Sequence, residues 1–312
     1  MRIAVASGKG GTGKTTIAVS LALSAPGRVQ LLDCDVEEPN AGLFLSQRDV
    51  RESAIAVPVP FIDEAKCVAC GACASFCEFN AIVHIGTTLM VFPELCHSCG
   101  GCALVCPVGA IHEEPSAIGM LTESEVLRND RATISFYQGL LSIGNAMSPP
   151  VIRAVKVRAA KDCESPDQGD AAIADVGIMT IIDAPPGTSC PMGTAVSGAD
   201  YVVLVTEPTP FGLHDLDLAV KTVRKVELRF GVIINRSDSG DDRVVAYCGK
   251  ESIRILMQIP EDRRIARGYS EGKPLIVSAP EYRRKFAALA GILADEIRSG
   301  EGNRKGTGDA DV

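Results

Sequence analysis

The 312-residue sequence has no tryptophan, no apolar run approaching the ~20 residues that a membrane-spanning helix needs, and no long block of lysine or arginine. The missing tryptophan carries no functional consequence. The short apolar runs exclude a helical membrane span. With 31 basic against 39 acidic side chains and a formal charge of −8, the sequence argues against a primary role in holding nucleic acid. No leader segment is expected either, because Ile3-Ala4-Val5-Ala6 leads straight into a glycine-rich loop and leaves no room for a signal peptide. The expectation is a cytoplasmic protein with neither a nucleic-acid nor a membrane partner.

What is present is cysteine, twelve in all. In a secreted chain twelve cysteines would imply disulfides; here their spacing is that of metal ligands, which points to a reducing compartment. Eight of them fall in two copies of one pattern. The first reads Cys67-x2-Cys70-Gly71-x-Cys73-x3-Cys77, followed by Ala81 and Ile82; the second reads Cys96-x2-Cys99-Gly100-x-Cys102-x3-Cys106-Pro107, followed by Ala110 and Ile111. Every matched position is offset by 29 residues, so the two copies form an internal repeat. Zinc is one reading of such ligands, but tandem zinc ribbons usually pair their CxxC elements at longer spacings.

Upstream, Gly8-Lys9-Gly10-Gly11-Thr12-Gly13-Lys14-Thr15 fits the phosphate-binding pattern G-x-x-x-x-G-K-[ST], and Thr16 follows it. Residues 2–7 read as a buried strand and Thr15 to Ser24 as a helix, the context such a loop requires. Backbone N–H groups freed by glycine converge on phosphate oxygens, and the helix N-terminus adds a favourable field. Lys14 is expected to reach the β- and γ-phosphates and the Thr15 hydroxyl to ligate Mg²⁺. Arg28 to Asp33 read as a second strand, ending in Asp33-Cys34-Asp35. Further β-rich runs at Ile178–Ile182, Tyr201–Thr206 and Phe230–Ile234 alternate with helical stretches such as Leu213–Val226. This alternation predicts an α/β fold with a doubly wound, mostly parallel sheet. Phe286, Leu289, Ala290, Leu293 and Ile297 recur at helical spacing and predict a helix over 283–298 packed on that sheet rather than on a membrane surface.

The prolines divide the chain. Pro58 and Pro60 mark the entry and Pro115 the exit of the cysteine segment. The expected division is a discontinuous ATPase domain at 1–58 and 116–299, an inserted domain at 59–115, and a disordered Gly-, Asp- and Lys-containing tail at 300–312.

Lys9, in the form Lys-Gly-Gly-x-Gly-Lys-Thr-Thr, resembles the deviant Walker A loop of the MinD/ParA/Mrp and nitrogenase iron-protein family. The resemblance covers roughly 240 residues outside the insert and tail, counting a P-loop domain at the upper end of ordinary domain size. It implies an ATPase that works as a homodimer with nucleotide sandwiched between subunits, Lys9 reaching the nucleotide of the facing copy. It also implies that Asp35, at the end of the second strand, lies near the attacking water and the magnesium shell, a task that Asp33 could share. Ile181-Ile182-Asp183-Ala184-Pro185-Pro186-Gly187-Thr188 resembles the Walker B and switch II segment, with Asp183 holding Mg²⁺ and Gly187 sensing the γ-phosphate. Asn235 and the Pro260 segment lie where that family contacts adenine.

The cysteine repeat resembles the bacterial ferredoxin run, in which the fourth cysteine ligates the other cluster. That resemblance implies a small α+β insert with one [4Fe–4S] cluster on Cys67, Cys70, Cys73 and Cys106 and a second on Cys96, Cys99, Cys102 and Cys77. Glu78 departs from the pattern, standing where the second copy has Pro107. Outside the repeat, Cys34 and Cys248 read as buried thiols and Cys163 as a loop residue. Cys190 follows Asp183 by seven positions, the offset at which the nitrogenase iron protein places a ligand to a bridging cluster, and is a candidate functional thiol. The C-terminal CxxC by which Mrp-type carriers hold a cluster is missing.

Three functions compete. The leading one is an ATPase whose nucleotide-driven rearrangement governs electron flow through two [4Fe–4S] clusters to a redox or metalloenzyme partner. The alternative is an ATP-dependent carrier or assembly factor for iron–sulfur or metal cofactors. A MinD/ParA-type positioning ATPase is third, since positioning gives no reason to carry clusters.

Overall fold

The computed structural model describes residues 1–129, 132–164 and 177–304. The chain opens with strand β1 (Arg2–Ala6), helix α1 (Lys14–Ser24) and strand β2 (Val29–Asp33), the unit expected around the glycine loop. It runs on into a long strand β3 (Gln47–Ile62) and crosses the cysteine segment as α2 (Ala72–Phe76), β4 (Ile82–Ile85), β5 (Thr88–Val91) and α3 (Gly101–Leu104). It returns along β6 (Ile111–Asn129) and β7 (Ala132–Leu141). Helices and strands then alternate: α4 (Ser148–Glu164), β8 (Met179–Asp183), α5 (Cys190–Val196), β9 (Tyr201–Thr206), α6 (Pro210–Lys225), β10 (Phe230–Asn235), α7 (Arg243–Lys250) and β11 (Ile255–Ile259). Three helices, α8 (Arg263–Ser270), α9 (Leu275–Ser278) and α10 (Glu281–Arg304), come last among the described residues.

Nine strands form one sheet in the order β11-β10-β9-β1-β8-β2-β7-β6-β3. From β11 to β7 every pairing is parallel; β6 and β3 extend it by antiparallel ladders. The expectation of a mostly parallel, doubly wound sheet is met in this mixed nine-stranded form. The central strands are apolar on both faces because helices cover both. Ile3, Leu31, Ile181 and Val203 pack under α1 and α10 on one side. Ala4, Leu32, Ile182 and Val202 pack under α4, α5, α6 and α7 on the other. Each fully buried Ile or Leu contributes roughly 1.5–3 kcal/mol by leaving water. The Phe286, Leu289, Ala290, Leu293 and Ile297 stripe of α10 lies in the first of these cores, as its spacing predicts. Among the described residues no helix is long and apolar enough to cross a membrane.

Two boundaries differ from expectation. Helix α10 continues to Arg304, past the residue 300 at which a tail was expected to begin, while 305–312 lie outside the described residues. Pro58, Pro60 and Pro115 lie inside β3 and β6 rather than between elements. Pro58 pairs with Pro115 across the ladder. Proline has no N–H to give, so this rung needs none, and on edge strand β3 the two prolines remove donors open to pairing by another chain. The β3·β6 ladder runs in register from Gln47↔Val126 to Ile62↔Ile111, with bulges after Arg48 and Ile55. A two-stranded ribbon therefore joins the main sheet to the cysteine segment.

That segment has its own small core of Cys73, Ile82, Cys102 and Ile111, with Ile62, Leu89 and Val91 packed on it. The 29-residue repeat extends to the backbone. Ala69 and Ser98 share a left-handed conformation (φ 50° and 52°), as do Asn80 and Gly109 (φ 54° and 60°). The copies exchange equivalent hydrogen bonds: Asp63 N–H donates to Ala110 O and Phe92 N–H to Ala81 O, both at 2.8 Å. The rung Ile62↔Ile111 is matched by Val91↔Ile82 in the β4·β5 hairpin. The two halves are thus related by an internal two-fold.

Candidate functional site

The carboxyl ends of the parallel strands gather the residues read as nucleotide ligands. The loop after β1 wraps into α1 through Gly13, whose φ of 91° disfavours a side chain. A Cβ there would also meet Asn235 Nδ2 at 2.5 Å. Gly8 answers a different need: a Cβ would lie 2.0 Å from the Asp215 carbonyl oxygen of α6. Thr12, Lys14 and Thr15 are buried beneath the loop, while Gly10 and Gly11 are exposed and Thr16 is partly buried. Gly187 (φ 92°) donates its N–H to Ser7 O at 3.0 Å, tying the segment after β8 to the loop.

Asp33 and Asp183 end adjacent strands in register, and the structure separates the tasks of Asp33 and Asp35. Asp33 is fully buried, and its carboxylate accepts from Asp35 N (3.2 Å), Asn40 N (3.0 Å) and Ala41 N (2.9 Å). Its acceptors are occupied in holding the turn that follows β2. Asp35 instead sends Oδ2 to within 3.9 Å of Lys14 Nζ. Burial pushes the Asp35 carboxyl up to about 6 against the pull of Lys14. Burial also raises Asp33, with the Asp183 charge adding to it.

Asp183 is fully buried, and neither of its oxygens has a hydrogen-bond partner; Thr12 Oγ1 is equally orphaned. Burial pushes its carboxyl up to about 7, with the Lys14 ammonium pulling down and Asp35 pushing up. Buried polar atoms are ordinarily satisfied, so this cluster of orphans marks a place for a charged ligand. A divalent cation beside Thr15 and Asp183, with phosphates on the loop N–H groups, fits it.

Lys9 folds back on its own chain, Nζ lying 3.8 Å from Glu207 Oε2, while Arg236 Nη1 holds Glu207 Oε1 at 2.6 Å. Sequence reading missed Glu207, Arg236 and Ser7. Glu207 carried a signal, since it follows strand β9 directly, as Asp35 follows β2 and Asp183 ends β8. Asn235 ends β10 and donates from Nδ2 to Thr12 O at 2.9 Å, so it braces the phosphate loop. Pro260 follows β11 at the same sheet end, where Ser237 N–H donates to Ile259 O.

The eight repeat cysteines line two cavities. One, about 260 Å³, is bordered by Cys96, Cys99 and Cys102 of the second copy and Cys77 of the first. The other, about 10 Å³, is bordered by Cys67, Cys70 and Cys73 of the first copy and Cys106 of the second. Ala81 N–H donates to Cys77 Sγ (3.3 Å) and Ala110 N–H to Cys106 Sγ (3.2 Å). The Ala110 contact holds the Cys106 thiol below its ordinary pKa, which favours the thiolate a metal requires. Among the described residues no three His, Cys, Asp or Glu side chains converge on a point suited to a single ion. Four thiolates around a cavity instead suit a cluster, where each thiolate binds a different iron.

The remaining cysteines are scattered. Cys34 and Cys248 are buried, as expected, and burial pushes Cys248 up to about 11. Cys163 is not a loop residue: it sits in the last turn of α4, its Sγ 3.4 Å from Gln30 Oε1. The polar composition that suggested a loop belongs to the residues beyond it. Cys190 is exposed and opens α5. Lys156 of α4 caps the far end of that helix, donating to Thr194 O (2.8 Å), Ala195 O (3.1 Å) and Ser197 O (2.6 Å).

Comparison with known proteins supports the nucleotide site. An uncharacterised protein of Methanocaldococcus jannaschii is 28% identical over 288 residues, covering 88% of this chain and 91% of its own. An iron-sulfur cluster carrier protein of Aquifex aeolicus is 29% identical over 136 residues, 38% of this chain and 37% of that protein. Among solved structures, the septum site-determining protein MinD of Pyrococcus horikoshii, in complex with Mg-ADP, shares the fold at a TM-score of 0.52 and 21% identity, covering 94% of this chain and 95% of that one. The family model for the CobQ/CobB/MinD/ParA nucleotide-binding domain matches residues 3–275, and with the phosphate loop, Asp35 and Asp183 assembled at one sheet end the chain belongs to that family.

Proposed function

We propose that this protein is an ATP-hydrolysing homodimer that couples its nucleotide state to electron transfer through two [4Fe–4S] clusters, serving a redox or metalloenzyme partner in the cytoplasm. The observation that carries the reading is the sharing of cysteines between cavities, each taking three from one copy of the repeat and one from the other. Cys67, Cys70, Cys73 and Cys106 would hold one cluster and Cys77, Cys96, Cys99 and Cys102 the other. When bound, the clusters supply one-electron storage at two neighbouring points. On this reading residues 59–115 form an inserted ferredoxin domain within an ATPase domain spanning 1–58 and 116–299.

The chain's own residues supply the rest. Loop N–H groups from Gly10 to Thr16 hold the phosphates, Lys14 neutralises their charge, and Thr15 with Asp183 fixes Mg²⁺. Asp35 stands where a carboxylate can orient the attacking water. Lys9 would leave Glu207 to reach the facing subunit's nucleotide, and Gly187 would respond to the γ-phosphate. Its movement passes to α5, which Lys156 ties to α4. Helix α4 packs in turn on β7 and β6, the strand that leads to the cysteine segment.

A second reading, ATP-dependent delivery of iron–sulfur or metal cofactors, is favoured by the partial likeness to a cluster carrier and by the exposed Cys190. The two separate in one measurement: reduction potentials of both clusters in the nucleotide-free, ADP and ATP states. Nucleotide-dependent shifts are the expected outcome. Invariant potentials, together with ATP-stimulated transfer of a labile cluster to an apo-protein, would overturn electron transfer in favour of delivery.

A further inference from the structure

We propose that the two cluster sites differ in reduction potential because Glu78 and Glu113 place negative charge at one of them only, making electron transfer run from the ribbon-side site to the outer site. This inference rests on the reading that the cavities hold [4Fe–4S] clusters.

The internal two-fold makes each site a control for the other. Cysteine exposure matches pair by pair: Cys67 and Cys96 are intermediate, Cys70 and Cys99 exposed, Cys73 and Cys102 buried, Cys77 and Cys106 intermediate. The burial of the cysteines therefore does not distinguish the sites. Their walls do. The site of Cys67, Cys70, Cys73 and Cys106 is otherwise lined by Val68, Ala72, Leu89, Pro107, Val108 and Ile111, with no charged side chain. The site of Cys77, Cys96, Cys99 and Cys102 is lined by Glu78 and Glu113, besides Phe79, His97 and Pro60. Under the 29-residue offset Glu78 replaces Pro107, and Glu113 stands where the other half has His84, a residue absent from the apolar wall.

Reduction adds one negative charge to a cluster, and a nearby carboxylate opposes it. One contact works the other way: Ser98 N–H donates to Cys96 Sγ at 3.3 Å, and among the described residues no equivalent hydrogen bond reaches Cys67 Sγ. A single N–H dipole acts on one sulfur, whereas two full charges act on the whole cluster, so the carboxylates set the sign. Position then gives direction. Pro60 and Glu113 pair with one another in the β3·β6 ribbon that leads to the main sheet, while Leu89 of the apolar wall belongs to the β4·β5 hairpin. With clusters bound, an electron at the ribbon-side site would move downhill to the outer one, the first site being oxidised and the second reduced.

The test is a spectroscopic redox titration of anaerobically reconstituted full-length protein, with its iron content measured. Two separate potentials are expected. Glu78→Gln with Glu113→Gln should raise the lower potential and leave the higher one in place, and added salt should narrow the gap. Pro107→Glu, which places the charge at the equivalent outer position, should lower the higher potential. Equal wild-type potentials, or a lower potential that does not respond to the double variant, would overturn the inference with the clusters still present. Protein that binds zinc or holds a single cluster after reconstitution would instead overturn the reading beneath it.

Discussion

In nucleotide-free protein the orphaned carboxylate of Asp183 should be a source of instability that Asp183→Asn relieves. Burial raises its pKa from 3.8 to about 7. The folded state therefore holds that proton more tightly than the unfolded chain. The stability it confers is complete below about pH 4 and is lost as the pH rises through about 7. Holding the proton up to about pH 7 instead of 3.8 corresponds to about 4 kcal/mol. Asparagine removes that loss but introduces a buried amide, and an unsatisfied amide costs about 1–3 kcal/mol. The net gain at pH 8 should be about 1–3 kcal/mol, shrinking and then reversing towards pH 4. Urea unfolding of both proteins across this range, with chelator and no nucleotide, measures it. Wild type should also gain stability from Mg²⁺ with ADP, and the variant far less. Stability curves for the two proteins that stay parallel from pH 4 to 8 would refute the argument. So would a variant that gains as much from Mg-ADP as wild type.

Two further changes probe the phosphate loop. Gly8→Ala forces a Cβ to within 2.0 Å of the Asp215 carbonyl, so the loop or α6 must shift. A loss of about 1–3 kcal/mol in chemical unfolding is expected, with weakened nucleotide binding. Lys14→Ala removes the cation facing Asp35 and should abolish ATP turnover while iron content and visible absorption stay at wild-type levels. Parallel loss of iron in that variant would show that the two sites are not separately built.

How much of this was legible in the sequence depended on how local each signal was. The glycine loop, the Asp183 strand and the cysteine repeat are each defined by short local patterns; the loop and Asp183 lie at strand ends and the cysteines at cavity walls. The α10 stripe was legible for the same reason, its five apolar positions falling on one face. Strand β3 was not: Arg48, Asp49, Arg51 and Glu52 are exposed on the sheet edge, so the apolar alternation that marks a strand is missing there. Its partner β6 is similarly charged, and what identifies both is a ladder between residues as distant as Gln47 and Val126. Asp33 and Asp35 show the limit most directly. Two carboxylates two residues apart at a strand end are equivalent in sequence, and only the turn back to Asn40 and Ala41 shows that Asp33 is committed to the backbone. The same holds for Lys9, whose sequence position implies a reach towards another subunit and whose nearest carboxylate, Glu207, lies almost two hundred residues away in its own chain. In the proposed dimer, a lysine held by Glu207 would have to give up that contact before serving a facing nucleotide. On the proposed function, dimerisation and nucleotide binding would share one local rearrangement at the end of β9.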